Sequence, residues 1–332
     1  MPAELDGWML RHRPGRSWAR LVAYVLFEGR PVTTRGQLLN PLVFAQLGLW
    51  KRLPALARVR APIFVLGSGR SGTTVLARLL ARHREVGLLN EPKALWHAAF
   101  PRQDVIGSYA RAPGRLLLDE RDATQAVERA ARRLYGACAR LTGSARLVDK
   151  YPEMLFRVPF LRALFPDALF LVAERDGLAA AHSVARWSQR FGRTVRGVRH
   201  DWWGVADRKW RALCAEAVPR EPDLAPQRAE LAALTDERAR AALEWLLNRR
   251  ESARIAAART PGLHVVRQED FRRAPEPVLA GVLAACGLAP DEQLLAQARA
   301  TLAPDERGPA EPFPLPEPLA TAFAAELARY RA

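Results

Sequence analysis

An α/β fold built on a parallel sheet is what this 332-residue sequence predicts. Three observations predict it. Short, β-rich apolar runs recur along the chain with helical patterns between them, the alternation that βαβ units require. The first run leads directly into a glycine-rich loop and then a helical pattern. Hydrophobic residues make up 49% of the chain, enough to bury a full core in one large domain.

Residues 1–60 read as a mostly helical extension that ends at Pro62. Its longest apolar stretch, LVAYVLF (21–27), is too short to span a bilayer, and no small-residue cleavage site follows it. The expectation is an amphipathic helix with no transmembrane segment, able to make peripheral membrane contact. The α/β core is expected over 62–187, with strands at PIFVLG (62–67), VGLL (86–89), RLVD (146–149) and LFLVAE (169–174). Helices are expected at 74–83, 122–142, 153–165 and 178–188, and FPDA (165–168) is a turn. These runs are apolar without alternation, as strands covered on both faces must be.

A helical insertion is expected over 188–250, holding Trp202, Trp203, Trp210 and Trp245. LHVVR (263–267) supplies the last strand of a 251–289 segment, and 290–332 is proline-rich, as in PDERGPAEPFPLPEP, before a terminal helix. No internal repeat is present, so the chain reads as a single domain.

The net charge of +16 raises nucleic acid as a partner. Yet the arginines are spread along the chain, no dense basic block with interleaved aromatics occurs, and only Lys51, Lys93, Lys150 and Lys209 are lysines. The composition therefore reads as a solvated basic surface that attracts a polyanionic cosubstrate, with no specific nucleic-acid partner. Cys138, Cys214 and Cys286 lack paired spacing, which predicts neither a metal site nor a disulfide framework and fits a cytoplasmic location.

Chemistry is expected at four strand ends. In VLGSGRSGTT (65–74), Gly67 and Gly72 have the spacing of a phosphate loop, but Thr73 stands at the lysine position and Arg70 lies inside the loop. That pattern predicts a P-loop-NTPase-like sheet without the lysine that nucleotide hydrolysis uses. In LLNEPKALWH (88–97), Glu91 is either a general base for an incoming hydroxyl or an acid favoured by a helix N-terminus beginning at Pro92. Lys150 in VDKYP (148–152) can stabilise a leaving oxygen or be merely solvated. Arg175 and Ser183 in ERDGLAAAHSVARW (174–187) can share an anion, although Ser183 taken alone reads as a buried helix hydroxyl.

GRSGTT, NEPKALWH, DKYP and RDGLAAAHS together resemble the motifs of sulfotransferases that use 3′-phosphoadenosine 5′-phosphosulfate (PAPS). The likeness is to tyrosylprotein sulfotransferases and Golgi carbohydrate 6-O-sulfotransferases, covers about 62–187, and thins to VVRQEDF (265–271). It implies a soluble, bacterial-type member that moves a sulfuryl group from PAPS to a hydroxyl of a saccharide, lipid or small natural product, leaving PAP. It assigns Ser68, Gly69, Arg70, Ser71, Gly72, Thr73 and Thr74 to the phosphosulfate loop, and Arg175 and Ser183 to the 3′-phosphate. Arg70, Glu91 and Lys150 become the catalytic residues, with Glu91 as base and no metal.

Some positions depart from the pattern. Trp187 stands where the tyrosylprotein enzymes carry a basic residue, with Arg186 beside it, and Gln268 replaces a tyrosine common in relatives. Trp202, Trp203 and Trp210 line an acceptor pocket or fill the insertion's own core; His97 and His182 face the acceptor or, as a lone histidine more often is, are structural. The rival function is a P-loop kinase or NTPase.

Overall fold

The computed structural model describes residue 5, residues 7–302 and residues 310–332. Part of the proline-rich segment, 303–309, lies outside the described residues. Helices α1 (Gly7–His12), α2 (Pro14–Leu26) and α3 (Asn40–Trp50) form the N-terminal extension. The core follows as β1 (Ile63–Gly67), α4 (Thr73–Leu80), β2 (Val86–Asn90), α5 (Lys93–Ala99), α6 (Gln125–Thr142) and β3 (Arg146–Lys150). It continues through α7 (Val158–Leu164), β4 (Leu169–Glu174) and α8 (Gly177–Phe191).

Next come β5 (Arg193–Val195), β6 (Val198–Asp201), β7 (Gly204–Val205), α9 (Arg208–Ala212), α10 (Arg228–Ala232) and α11 (Glu237–Ala257). The chain closes with β8 (Leu263–Arg267), α12 (Gln268–Arg273), α13 (Pro275–Ala285), α14 (Glu292–Thr301) and α15 (Leu319–Arg331). No helix among the described residues is long and apolar enough to cross a membrane.

The sheet is parallel and five-stranded in the order β2-β3-β1-β4-β8, the P-loop-NTPase-like arrangement that the sequence predicts. Every residue of β1 is buried, which is why IFVLG shows no alternation. Helices start where local chemistry permits. The Asp176 side chain accepts from the backbone N–H groups of Leu178 and Ala179 at 3.0 and 3.2 Å and so caps α8. Because all five strands run the same way, Gly67, Asn90, Lys150, Glu174 and Arg267 end on one edge.

The insertion differs from the expected helical run. Its first part, β5 to β7, is a small antiparallel sheet. Arg196 and Gly197, at φ of 52° and 76°, form a two-residue left-handed turn joining β5 to β6, the turn whose twist matches a hairpin. Trp203, Trp210 and Trp245 are buried in the insertion's core, the first two edge-on at 5.2 Å, as the plainer of the two expectations has it.

Gly67 ends β1 at φ +134°, and a Cβ there would lie 2.1 Å from the Ala173 carbonyl oxygen of β4. Gly67→Ala is therefore expected to cost about 2–4 kcal/mol, read as a lower urea midpoint. An unchanged midpoint would mean that the two strand ends do not pack this closely.

Candidate active site

Where the strands end, a cavity of about 440 Å³ opens. Arg70, Glu91, Lys150 and Arg175, drawn from the ends of β1, β2, β3 and β4, all line it. The loop after β1 is closed on itself: the Ser71 backbone N–H and hydroxyl both donate to the Ser68 carbonyl, at 3.3 and 2.5 Å. Ser68 and Ser71 are buried and build the loop, whereas Gly72, Thr73 and Thr74 face the cavity. Gly72, at φ +91°, is the N-cap of α4, and no side chain caps that helix. The first-turn N–H groups therefore have no intrahelical partner and are open to an anion.

Gly69 leaves room for the Trp202 ring, which a Cβ would meet at 2.0 Å. Arg70 adopts φ 65°, a left-handed conformation rare outside glycine. Its carbonyl accepts from the Arg175 guanidinium at 3.1 Å, and its Nε donates to Ser183 Oγ at 3.1 Å. Arg70, Arg175 and Ser183 thus form one cluster, although Ser183 itself is buried on α8. Burial and then the neighbouring Arg186 lower the Arg70 pKa, with Glu91 opposing them.

Glu91 is also left-handed, at φ 48°. Its N–H donates to the Lys150 carbonyl at 2.7 Å, while Lys150 Nζ reaches Oε1 at 2.5 Å and Lys93 Nζ reaches Oε2 at 3.1 Å. Burial pushes the carboxyl pKa up, but Lys150 and Lys93 together outweigh it and hold the group well below the usual carboxylate range. Glu153 feels the charge of Lys93 and pairs with Lys209, whose Nζ lies 3.3 Å from Glu153 Oε1 and 2.7 Å from Glu244 Oε1. Lys209 also sits 4.5 Å over the Trp202 ring, and Trp202 Nε1 donates to Glu244 at 2.6 Å. Behind Lys150, Asp149 accepts from Trp96 Nε1 at 2.8 Å and from the Tyr135 hydroxyl. Burial pushes the Asp149 carboxyl up to about 7 although both hydrogen bonds pull it down.

Lys93 and Glu153, to which no sequence motif gives a role, also line the cavity, and Pro31 to Thr34 of the N-terminal extension form one wall of it. The scarcity of lysine was the available signal for Lys93, since three of the four lysines belong to this charged network. Nothing local announces the wall at 31–34. Trp202 parts company with the buried tryptophans and lines the cavity with Trp187, the two rings edge-on at 5.4 Å. Gln268 packs on Gly72, where a Cβ would meet its Oε1 at 1.9 Å. His97 stacks edge-on against Phe44 and His182 bonds the Glu311 carbonyl, and neither lines the cavity. Arg70, Lys93, Lys150, Arg175 and Arg272 around an open helix N-terminus fit a ligand with more than one anionic group.

The model of the sulfotransferase family matches residues 62–229. Protein-tyrosine sulfotransferase 2 of Gallus gallus is 34% identical over 125 residues, 37% of this chain and 33% of that protein. The chain thus spans about a third of the length of the curated relative it matches. The sulfotransferase domain of the Synechococcus PCC 7002 olefin synthase superposes with a TM-score of 0.48 and 19% identity, covering 84% of this chain and 97% of that one. A Mycobacterium tuberculosis H37Rv sulfotransferase gives 0.45 and 19%, covering 90% and 88%.

A carboxyl held ionised in the fold contributes stability above its unfolded pKa of about 4.3, and that contribution is lost as pH falls toward the folded value. The stability difference between the wild type and Glu91→Gln is accordingly expected to shrink on acidification below about pH 4.3, measured by urea unfolding at stepped pH. A difference that stays flat through the acid range would show that the two lysines do not hold Glu91.

Proposed function

The chain belongs to the sulfotransferase family, and from that membership we propose that it transfers the sulfuryl group of PAPS to a hydroxyl acceptor. One observation carries this reading: Arg70, Glu91, Lys150 and Arg175, from four separate strand ends, meet in one cavity at the N-terminus of α4. PAPS, when bound, supplies the sulfuryl group and leaves as PAP. The α4 first-turn N–H groups and Arg70 would hold the 5′-phosphosulfate, and Arg175 with Ser183 the 3′-phosphate. The Arg70–Ser183 hydrogen bond ties these two anion subsites together.

The base role of Glu91 follows from its partners. Paired with two lysines, its carboxylate is a weak base. Lys150 and Lys93 can serve either Glu91 or an anion beside it, and each pairing they give up raises the proton affinity of the carboxylate. Glu91 is then best able to take the acceptor's hydroxyl proton when the lysines have turned toward the leaving oxygen, where positive charge is needed. Its side chain, 35% exposed into the cavity, is accessible to such a hydroxyl. Acceptor contact belongs to Trp187 and Trp202. A cytoplasmic setting is part of the reading.

Calorimetric titration with PAP tests the cosubstrate, and Glu91→Gln tests the base. Metal-independent PAP binding is expected, weakened about tenfold or more by Arg175→Ala. Glu91→Gln is expected to lower turnover about 100-fold or more while PAP affinity is kept or tightened, because the variant frees the lysines. Binding of ATP with Mg²⁺ but not of PAP would replace this reading with a kinase, and an undiminished rate in the variant would remove Glu91 from the base role.

A further inference from the structure

Helix α3, NPLVFAQLGLW, contains no charged residue and is apolar on every side. A helix of that kind belongs in a core. Only one of its faces, through Val43 and Leu47, is buried. The opposite face carries Leu42, Ala45 and Leu49, and Leu38 just before the helix continues the same stripe at helical spacing. Leu38 is 95% exposed, Leu42 59% and Leu49 53%. Leu56, beyond the helix, is exposed as well.

The surrounding charge indicates what covers this face. No Asp or Glu occurs between Glu28 and Glu85. Arg35, Arg52, Arg58 and Arg60 flank the stripe, are exposed, and form no ion pair among the described residues. Exposed leucines ringed by unpaired arginines match the interfacial zone of an anionic bilayer, where the leucines enter the acyl boundary and the arginines meet phosphates. The stripe is also fixed relative to the cavity. Asn40, opening α3, exchanges two 2.8 Å hydrogen bonds with the Arg30 backbone, and the Gln37 amide donates to the Pro31 and Val32 carbonyls of the cavity wall at 3.3 and 3.2 Å. The Pro31–Thr34 wall of the cavity and the apolar stripe therefore adjoin.

We propose that residues 35–60 dock the protein on an anionic lipid surface, with the Pro31–Thr34 side of the cavity next to the bilayer. The docking is independent of the bound nucleotide and of the acceptor's identity.

Co-sedimentation of the full chain with vesicles tests it, comparing phosphatidylcholine alone with phosphatidylcholine containing about one-third phosphatidylglycerol. Binding is expected to the anionic vesicles, weakened about tenfold or more in Leu42→Asp/Leu49→Asp and separately in Arg35→Glu/Arg58→Glu. All four positions are exposed, and an unchanged urea midpoint and PAP affinity in each variant show that the fold and the cavity are intact. Absence of vesicle binding, or binding that neither variant weakens, overturns the proposal. So does concentration-dependent self-association of the wild type that Leu42→Asp/Leu49→Asp abolishes, because a second copy would then cover the face.

Discussion

Glu91 is held by Lys150 through both main chain and side chain, and the rest of the site is arranged around that double hold. β2 and β3 lie side by side with Asn90 in register with Lys150, so the residue following β2 emerges over the end of β3. There its N–H closes on the Lys150 carbonyl while the two side chains pair beyond the strands. The left-handed backbone of Glu91 is the cost of turning its carboxylate back over the sheet edge, a strain of the kind that persists where surrounding structure over-determines it. Arg70, the other non-glycine residue that lines the cavity with a left-handed backbone, is held through its carbonyl by the Arg175 guanidinium.

From Glu91 the electrostatic connections run outward through Lys93, Glu153 and Lys209 to Glu244 on α11. Burying Lys209 is costly unless its charge is answered, and two carboxylates and the face of Trp202 answer it. Trp202 in turn rests against Gly69 of the anion loop. The insertion is thus docked on the loop by charge and ring contact at a place where a single methyl group would not fit. The cavity wall at Trp202 and the loop after β1 are thereby held against each other.

The five core strands were legible because burial on both faces leaves an uninterrupted apolar run, and the right order of helices followed from the patterns between them. The β5–β7 sheet was not. Its strands are short, largely exposed and rich in arginine, and the hairpin turn rests on Arg196, a residue with no sequence preference for a left-handed conformation. The tryptophans were legible as a cluster but not as a division of labour. Trp202 and Trp203 are the two residues between β6 and β7, and one ring lines the cavity while the other is buried in the core.

By itself the sequence determined that there would be a parallel sheet, a glycine loop without its lysine, and charged residues at four successive strand ends. Strand direction alone puts those residues on one edge, so no knowledge of packing was needed. Only the tertiary structure decided which of them touch. Lys93 and Lys150 share Glu91, Arg70 turns toward Ser183, and a loop from the N-terminal extension walls the cavity. Apart from Lys93, which stands two residues after Glu91, these are pairings between segments far apart in the chain. Their geometry depends on strand register, on left-handed turns at Arg70 and Glu91, and on where the insertion lands, none of which a local pattern of residues encodes.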